Sequence, residues 1–387
     1  MNVKPTQRRR RLHRTRKGQP PQYRRVTEAL RQRLAAGDWV AGAKLPPLRE
    51  LAHRHNASTK TIRRALRILE SEGYVYHVAD VGAFVDPAYP SKSGTHITIA
   101  LTTIDIGGAF EMNIARGIEQ ACQRRGWGLQ IFDAQADAHL EASNLQRLGD
   151  SATRGAIIMP ISDEANFETL VKLKLSGHPI VLVDRSIPGL LVDLVESDHE
   201  KGAYLATEHL LRQCHTQVLS LGFQPVVSSI AARIRGFERA MLDYGQKLTR
   251  DSVIFATTEA SLRGLREGNR WLEGYEAVLP VLKTIQLPVA IFAFNDYLSW
   301  GVFHACRELG LRIPQDVSLV GFDDSDVMRA ISPPITTVAQ RPVEIGRTAV
   351  DLLERRLQPG GRDLPPQHVC IDVELIERES VAPPASA

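Results

Sequence analysis

From residue 96 onward, short apolar runs recur between amphipathic segments, and this alternation restricts the fold more than any other feature of the chain. The spacing predicts strands over 96–101, 129–133, 155–160 and 179–184, with helices over 110–125, 139–150 and 166–175 between them. It then restarts, with helices over 204–212, 232–244, 271–285 and 297–309 and strands over 218–222, 252–256, 289–295 and 317–322. Continuous apolar strands separated by helices imply a parallel sheet covered on both faces. Two such runs predict two doubly wound lobes, with any ligand bound at the carboxyl ends of the strands in the cleft between them.

The polar residues at those ends fit that expectation. Asp184-Arg185 follows IVLV, Asn295-Asp296 follows AIFAF, and Asp323-Asp324 follows VSLVGF, while Arg233 opens a helix. Guanidinium and carboxylate groups make paired hydrogen bonds to adjacent hydroxyls, the arrangement a sugar presents.

The first ninety residues are different in charge and pattern. They hold 19 Lys or Arg against seven acids, whereas the remainder is net acidic, although the whole chain is only +4. Such a split predicts an N-terminal part that meets a polyanion. Residues 1–20, with Arg8-Arg9-Arg10-Arg11 and Arg14-Thr15-Arg16-Lys17, read as a disordered basic arm that either solubilises the chain or lies along phosphates. Val26, Leu30 and Leu34 mark a first helix, and Gly42 to Pro47 an extended connection. A second helix runs over 48–55. The stretch STKTIRRALRILESEG is a third, capped by Ser58, burying Ile62, Ala65, Leu66 and Leu69 and presenting Lys60, Arg63, Arg64 and Arg67. Two short strands around Val75 and Phe84 complete a winged helix-turn-helix. The third helix carries positive charge near its start, where its own dipole disfavours it, and DNA in a major groove would supply the compensating charge. Thr59, Lys60 and Thr61 would lie near base edges, with Arg63 and Arg64 on bases or phosphates.

This head, over residues 21–86, resembles the GntR family of bacterial transcription factors through LPPLRELA, ASTKTIRRALRILESEG and DVGAFV. The resemblance implies DNA contacts at Arg49, Lys60, Thr61, Arg63 and Gly82. Leu48 stands where that family usually has Glu, Thr59 replaces a common Arg, and Asp80-Val81 replaces Gly-Arg in the wing. These departures imply a different operator preference. Residues 87–95 read as a linker without a hinge helix. Residues 96–380 resemble the LacI family effector domain and its periplasmic sugar-binding relatives through Val183-Asp184-Arg185, Arg233-Ile234-Arg235-Gly236-Phe237, Phe294-Asn295-Asp296, Gly321-Phe322-Asp323-Asp324 and the segment ending at Gln340. That resemblance implies ligand stacking on Phe110 and hydrogen bonds from Asp184, Arg185, Arg233, Asn295, Asp323 and Gln340. Glu111 occupies a position where sugar binders often carry a second aromatic; it reads either as a reader of an extra hydroxyl or cationic group, or as an exposed helix-start glutamate. Head and body together resemble the arabinose-repressor type of architecture.

The expectation is therefore a cytoplasmic, ligand-responsive repressor, dimeric on a palindromic operator, with a monosaccharide or polyol-like effector and no cofactor or metal. A sugar-binding protein of the periplasmic type and a nucleotide or sugar enzyme are the alternatives. No signal-type apolar segment or membrane span is read. Gly126-Trp127-Gly128 lacks the third glycine of a nucleotide fingerprint, Asp323-Asp324-Ser325-Asp326 lacks the glycine and glutamate of a calcium loop, and no nucleophile–base constellation stands out. The four cysteines, at 122, 214, 306 and 370, are too dispersed for a zinc ribbon or a disulfide framework.

Overall fold

The computed structural model describes residues 21–35, 38–39, 42–78, 81–86, 97–150 and 153–384. The basic arm, the linker and Asp80 of the wing lie outside the described residues. The chain divides into two compact units, residues 1–96 and 97–387.

In the first unit, helices α1 (Gln22–Ala35), α2 (Leu48–Arg54) and α3 (Thr59–Ser71) are followed by strands β1 (Val75–Val78) and β2 (Gly82–Val85). Leu30, Leu34, Leu51, Ile62, Leu66 and Leu69 close one small core, to which Val75 and Val85 add the hairpin. β1 and β2 pair antiparallel with Val75 opposite Val85, and Lys44 bridges to Phe84 as a minimal third strand. The result is a winged helix-turn-helix.

The second unit holds two six-stranded sheets. The first lobe contains β3 (Thr98–Thr103), α4 (Ala109–Arg125), β4 (Gly128–Asp133), α5 (Ala138–Asp150), β5 (Ala156–Ile158), α6 (Phe167–Leu175), β6 (Ile180–Val183) and β7 (Asp193–Ser197). The second contains α7 (His199–Arg212), β8 (Val218–Gly222), α8 (Ser228–Asp243), β9 (Val253–Phe255), α9 (Thr258–Glu267), α10 (Leu272–Leu282), β10 (Val289–Ala293), α11 (Asp296–Leu309), β11 (Val317–Asp323), the short α12 (Asp326–Ala330) and β12 (Thr336–Ala339). The chain then returns. Helix α13 (Pro342–Leu357) packs on α4, β13 (His368–Ile371) joins the first sheet, and β14 (Glu374–Ile376) joins the second. Strand order is β4-β3-β5-β6-β7-β13 in one lobe and β9-β8-β10-β11-β12-β14 in the other. Every pairing is parallel except β12 with β14.

Two differences from the sequence reading shape the body. The segment expected as one helix over 271–285 is preceded by a further helix, α9, which ends at Gly268 with φ +72° before α10 begins. The lobes are also not two consecutive halves, because α13 and β13 belong to the first. That return depends on a close helix contact. A Cβ on Gly117 would stand 2.2 Å from the Val343 carbonyl oxygen, and one on Gly346 would stand 2.3 Å from that of Ile114. α4 and α13 can therefore approach only through glycine.

One buried ion pair pins the returning segment. Arg356 on α13 donates to both carboxylate oxygens of Asp193 at the start of β7, at 2.6 and 2.7 Å, and to the carbonyls of Gly361, Leu364 and Pro365. Asp193 also accepts from the Gln367 N–H at 2.7 Å. With both side chains buried, removing one leaves the other uncompensated. Asp193→Ala is expected to lower the stability of the body by about 3–5 kcal/mol, read as a drop in the urea midpoint monitored by circular dichroism.

Candidate functional site

Two regions carry chemistry, one in each unit. In the head, Ser58 ends an extended approach and turns its Oγ onto the Thr61 N–H at 3.1 Å, satisfying one of the free donors of α3. Asn56, at φ +46°, makes the tight turn before it. Thr59, Lys60, Arg63, Arg64 and Arg67 are exposed along the outer face, as is Arg49 on α2; Thr61 and Gly82 are half-buried.

The head's arginines fall into two sets. Arg31 bonds Glu28 and Glu72, Arg33 bonds Asp38 at 2.5 Å, and Arg54 bonds Glu50. Among the described residues Arg49, Lys60, Arg63 and Arg67 make no ion pair, so positive charge accumulates uncompensated around the start of α3. Arg64 is more constrained than the sequence implies, since its guanidinium lies over the Tyr23 ring at 3.9 Å. Gly82 adopts φ +135° where the wing returns, a conformation that excludes other residues.

In the body, Phe110, Glu111, Asp184, Arg185, Arg233, Asn295, Asp323 and Gln340 all line one cavity of about 760 Å³. They reach it from both lobes. Phe110 and Glu111 open α4; Asp184 and Arg185 follow β6; Arg233 lies on α8; Asn295 follows β10; Asp323 ends β11; Gln340 follows β12. The lobes also touch beside the cavity. Arg270 forms an ion pair with Asp105, the Ala109 N–H donates to the Tyr297 hydroxyl at 3.3 Å, and the Ser186 N–H donates to the Ser228 Oγ at 2.8 Å.

The cavity floor is a wired polar layer. Arg233 is buried, stacks on Phe322 at 4.0 Å, and donates to the Phe294 carbonyl and to Nδ1 of His199 at 3.3 Å. With Nδ1 accepting, the proton of His199 sits on Nε2, which faces Asp184 at 3.4 Å. Burial would raise the Asp184 carboxyl, but His199, with Arg185 and Arg233, holds it well below the usual carboxylate range. Arg185 donates to Asp184 at 3.1 Å and to the carbonyls of Pro160 and Ile161.

On the opposite wall Asp323 holds φ +116°, a strained conformation at the ligand face. Its carboxylate accepts from Gln340 Nε2 at 2.6 Å. Burial pushes the Asp323 carboxyl up, Arg233 opposes this, and Asp296 reinforces it. Asn295 spends its side-chain oxygen capping α11, accepting from the Leu298 N–H at 2.8 Å, which leaves its amide N–H₂ for other partners. Glu111 is half-buried, its carboxylate folded back toward Gly108 and its own N–H. Burial lifts it to about 7.

Sequence reasoning singled out Asp296 at a strand end without giving it a contact, and missed His199 and Tyr297. Asp296 accepts from the Ser325 N–H at 2.6 Å and from Thr337 at 3.2 Å, and so ties β10 to β11 and β12 beneath the cavity. The adjacency to Asn295-Asp296 was the available signal for Tyr297; His199 had none, because its partners lie 15 and 34 residues away in the chain. Among the described residues no cluster of three or more His, Cys, Asp or Glu could hold a metal, and no helix is long and apolar enough to cross a membrane.

With this geometry in hand, known proteins give a consistent picture. Residues 22–85 match the bacterial regulatory proteins of the gntR family, and residues 207–381 match the periplasmic binding protein-like domain. The chain is a GntR-type head on a periplasmic-binding-protein-like body. The chain is 25% identical over 343 residues to the arabinose metabolism transcriptional repressor of Geobacillus stearothermophilus, covering 87% of this chain and 92% of that one. It is 28% identical to the PurR transcriptional repressor of Haemophilus influenzae, covering 75% and 83%. Among solved structures, a LacI family regulator from Enterococcus faecium with bound ribose superposes with a TM-score of 0.61 at 27% identity, covering 74% of this chain and 99% of that one. The GntR-type head and the two-lobed body thus both belong to transcriptional regulators.

The cap gives this head a direct test. Ser58→Ala removes the Oγ acceptor at the Thr61 N–H, and the expected cost is about 1 kcal/mol of head stability. Hydrogen exchange at the first turn of α3 should accelerate correspondingly, while Ser58→Asp should restore protection.

Proposed function

We propose that the protein is a cytoplasmic transcriptional repressor that binds a palindromic operator as a homodimer and is controlled by a monosaccharide or similar small polyhydroxylated compound held between the lobes of its body. The observation that carries this reading is the convergence of eight polar or aromatic side chains from both lobes on one cavity, in a chain whose other unit bears unpaired cations at the start of α3. Arg49, Ser58, Thr59, Lys60, Thr61, Arg63, Arg64 and Gly82 form the DNA face. Arg63 reads or anchors, and Arg64, stacked on Tyr23, serves better as a positioned phosphate contact than as a free reader of bases. The ribose carried by the Enterococcus regulator supports a sugar-sized hydroxylated ligand for a cavity of this kind. Phe110 offers it a ring face, and Asp184, Arg185, Arg233, Asn295, Asp323 and Gln340 offer paired donors and acceptors.

In this mechanism the ligand favours one arrangement of the lobes because its contacts are split between them, and only that difference in affinity moves the equilibrium. Operator and ligand then change each other's affinity by one common factor. The GntR-type head argues against the sugar-carrier alternative, and the relatives are regulators rather than enzymes.

Two variants separate the sites. On an operator duplex selected from a random pool, Arg63→Ala should weaken binding by about 1–3 kcal/mol and leave ligand affinity unchanged. Wild-type affinity for the duplex should fall steeply with salt, with a log–log slope of about −0.9 for each phosphate neutralised; a flat response would exclude the cationic face as the DNA contact. Arg233→Ala should abolish the thermal stabilisation that a ligand gives while the variant still shifts operator DNA in a gel.

A further inference from the structure

The cavity holds acceptors that the described residues satisfy only in part. Gln340 is nine-tenths buried, spends its N–H₂ on Asp323, and leaves its own Oε1 without a donor. Asp323 receives that one side-chain hydrogen bond. Glu111 receives only its own N–H, and no side chain among the described residues donates to it. These three groups come from both sides of the cleft, Glu111 from the first lobe and Asp323 and Gln340 from the second. Asp323 is among the charges that raise the Glu111 carboxyl, so the two repel when both are ionised.

The cations nearby compensate them only in part: Arg233 acts on Asp323 and Arg185 on Glu111 through charge, with no hydrogen bond to either among the described residues, and Arg116 at the cavity wall bonds Asn113. Arg185 bonds Asp184 and two main-chain carbonyls; Arg233 bonds the Phe294 carbonyl and His199 and leaves its Nε without a hydrogen-bond partner. Arg329 and Arg378 are both taken by Asp324. A neutral polyol could donate hydroxyl protons here, but two facing carboxylates in a half-buried cleft are compensated better by charge than by dipoles. Glycine at 108 matters in the same way. A Cβ there would stand 1.9 Å from a Glu111 carboxylate oxygen, so only glycine lets that carboxylate lie over the helix start.

Resting on the reading of a small hydroxylated effector, we propose that this effector is a polyhydroxylated primary amine, an amino sugar in chemical class, whose ammonium is held between Glu111 of the first lobe and Asp323 of the second. Gln340 Oε1 takes a further proton of the ammonium or of the neighbouring hydroxyl. Because the two carboxylates sit on different lobes, the ammonium converts repulsion across the cleft into attraction. The same contact therefore gives selectivity and favours approach of the lobes.

The test uses the full chain at neutral pH with matched probes: D-glucosamine, D-galactosamine and D-mannosamine against D-glucose, D-galactose and D-mannose. Thermal shift ranks them and calorimetry measures affinity. At least one amino sugar should bind about tenfold or more tightly than its neutral counterpart, the margin of a charge-assisted over a neutral hydrogen bond. Glu111→Gln should cost the amino sugar about tenfold more affinity than it costs the neutral counterpart. Neutral sugars binding as tightly as their amino counterparts in the wild type overturn the proposal and leave the sugar-effector reading standing. An equal loss for both members of a pair in Glu111→Gln also overturns it. Binding by none of the six overturns the amine proposal and the sugar reading together. The wild-type comparison does not depend on the variant folding.

Discussion

Three crossings of the chain between two parallel sheets govern what this body can do. The chain leaves the first sheet after β7 through Asp198 into α7, returns from β12 through Gln340 into α13, and leaves again from β13 through Asp372 into β14. Each crossing lies at the carboxyl end of a strand, where a doubly wound sheet presents its binding surface. Cavity residues and crossings are therefore neighbours in sequence. Gln340 is both a cavity residue and a crossing residue, and His199 wires Arg233 to Asp184 one residue beyond another crossing. Lys201 and Asp372 join two crossings by an exposed pair at 2.6 Å, a contact of small energy that can break and reform as the lobes move.

Rigid parts surround these crossings. The α4–α13 contact through Gly117 and Gly346 and the buried Arg356–Asp193 pair hold the returning segment to the first lobe, while Asp296, bonded to Ser325 and Thr337, holds the strand ends of the second. Each lobe is thereby tied together by buried polar contacts of its own. Among the described buried polar atoms without a hydrogen-bond partner, Gln340 Oε1, Asp184 Oδ1 and Arg233 Nε belong to residues that line the cavity between the lobes.

Much of this was legible in the sequence. Strands β6, β10 and β11 are buried on both faces, so Ile180–Val183, Val289–Ala293 and Val317–Phe322 read as unbroken apolar runs. The buried stripe of α3 is Ile62, Ala65, Leu66 and Leu69, the spacing of one helical face. Strand β7 was not legible, because it begins with Asp193, whose burial is made possible by an arginine 163 residues further on. Nor could local pattern assign α13 and β13 to the first lobe; that depends on which surfaces α4 and β7 leave uncovered. In the cavity, Asp184, Asn295 and Asp323 stood out because they share the carboxyl ends of strands on both lobes, although each alone could be a helix cap, as Asn295 also is. His199 did not, since its role comes from two partners that the fold brings together. Arg64 was legible as a cation but not as one stacked on Tyr23 of another helix.

The electrostatics of the two units run in opposite directions. In the head, positive charge is left unpaired on a solvent-exposed face, where high dielectric makes the concentration of like charge tolerable until a polyanion arrives. In the body, carboxyl groups face one another inside a half-buried cavity, where the same arrangement costs more. Burial answers that cost by lifting Glu111 to about 7 and raising Asp323, so that these groups hold protons more readily than exposed acids would. A body built this way is spared the full repulsion when empty, yet keeps ionisable acceptors in place. A donor that supplies charge from outside displaces those protons and draws on contacts from both lobes at once. The energy available to bias the lobes is then the difference between shared and unshared acceptors, and it resides in residues that adjoin the crossings through which the lobes must turn.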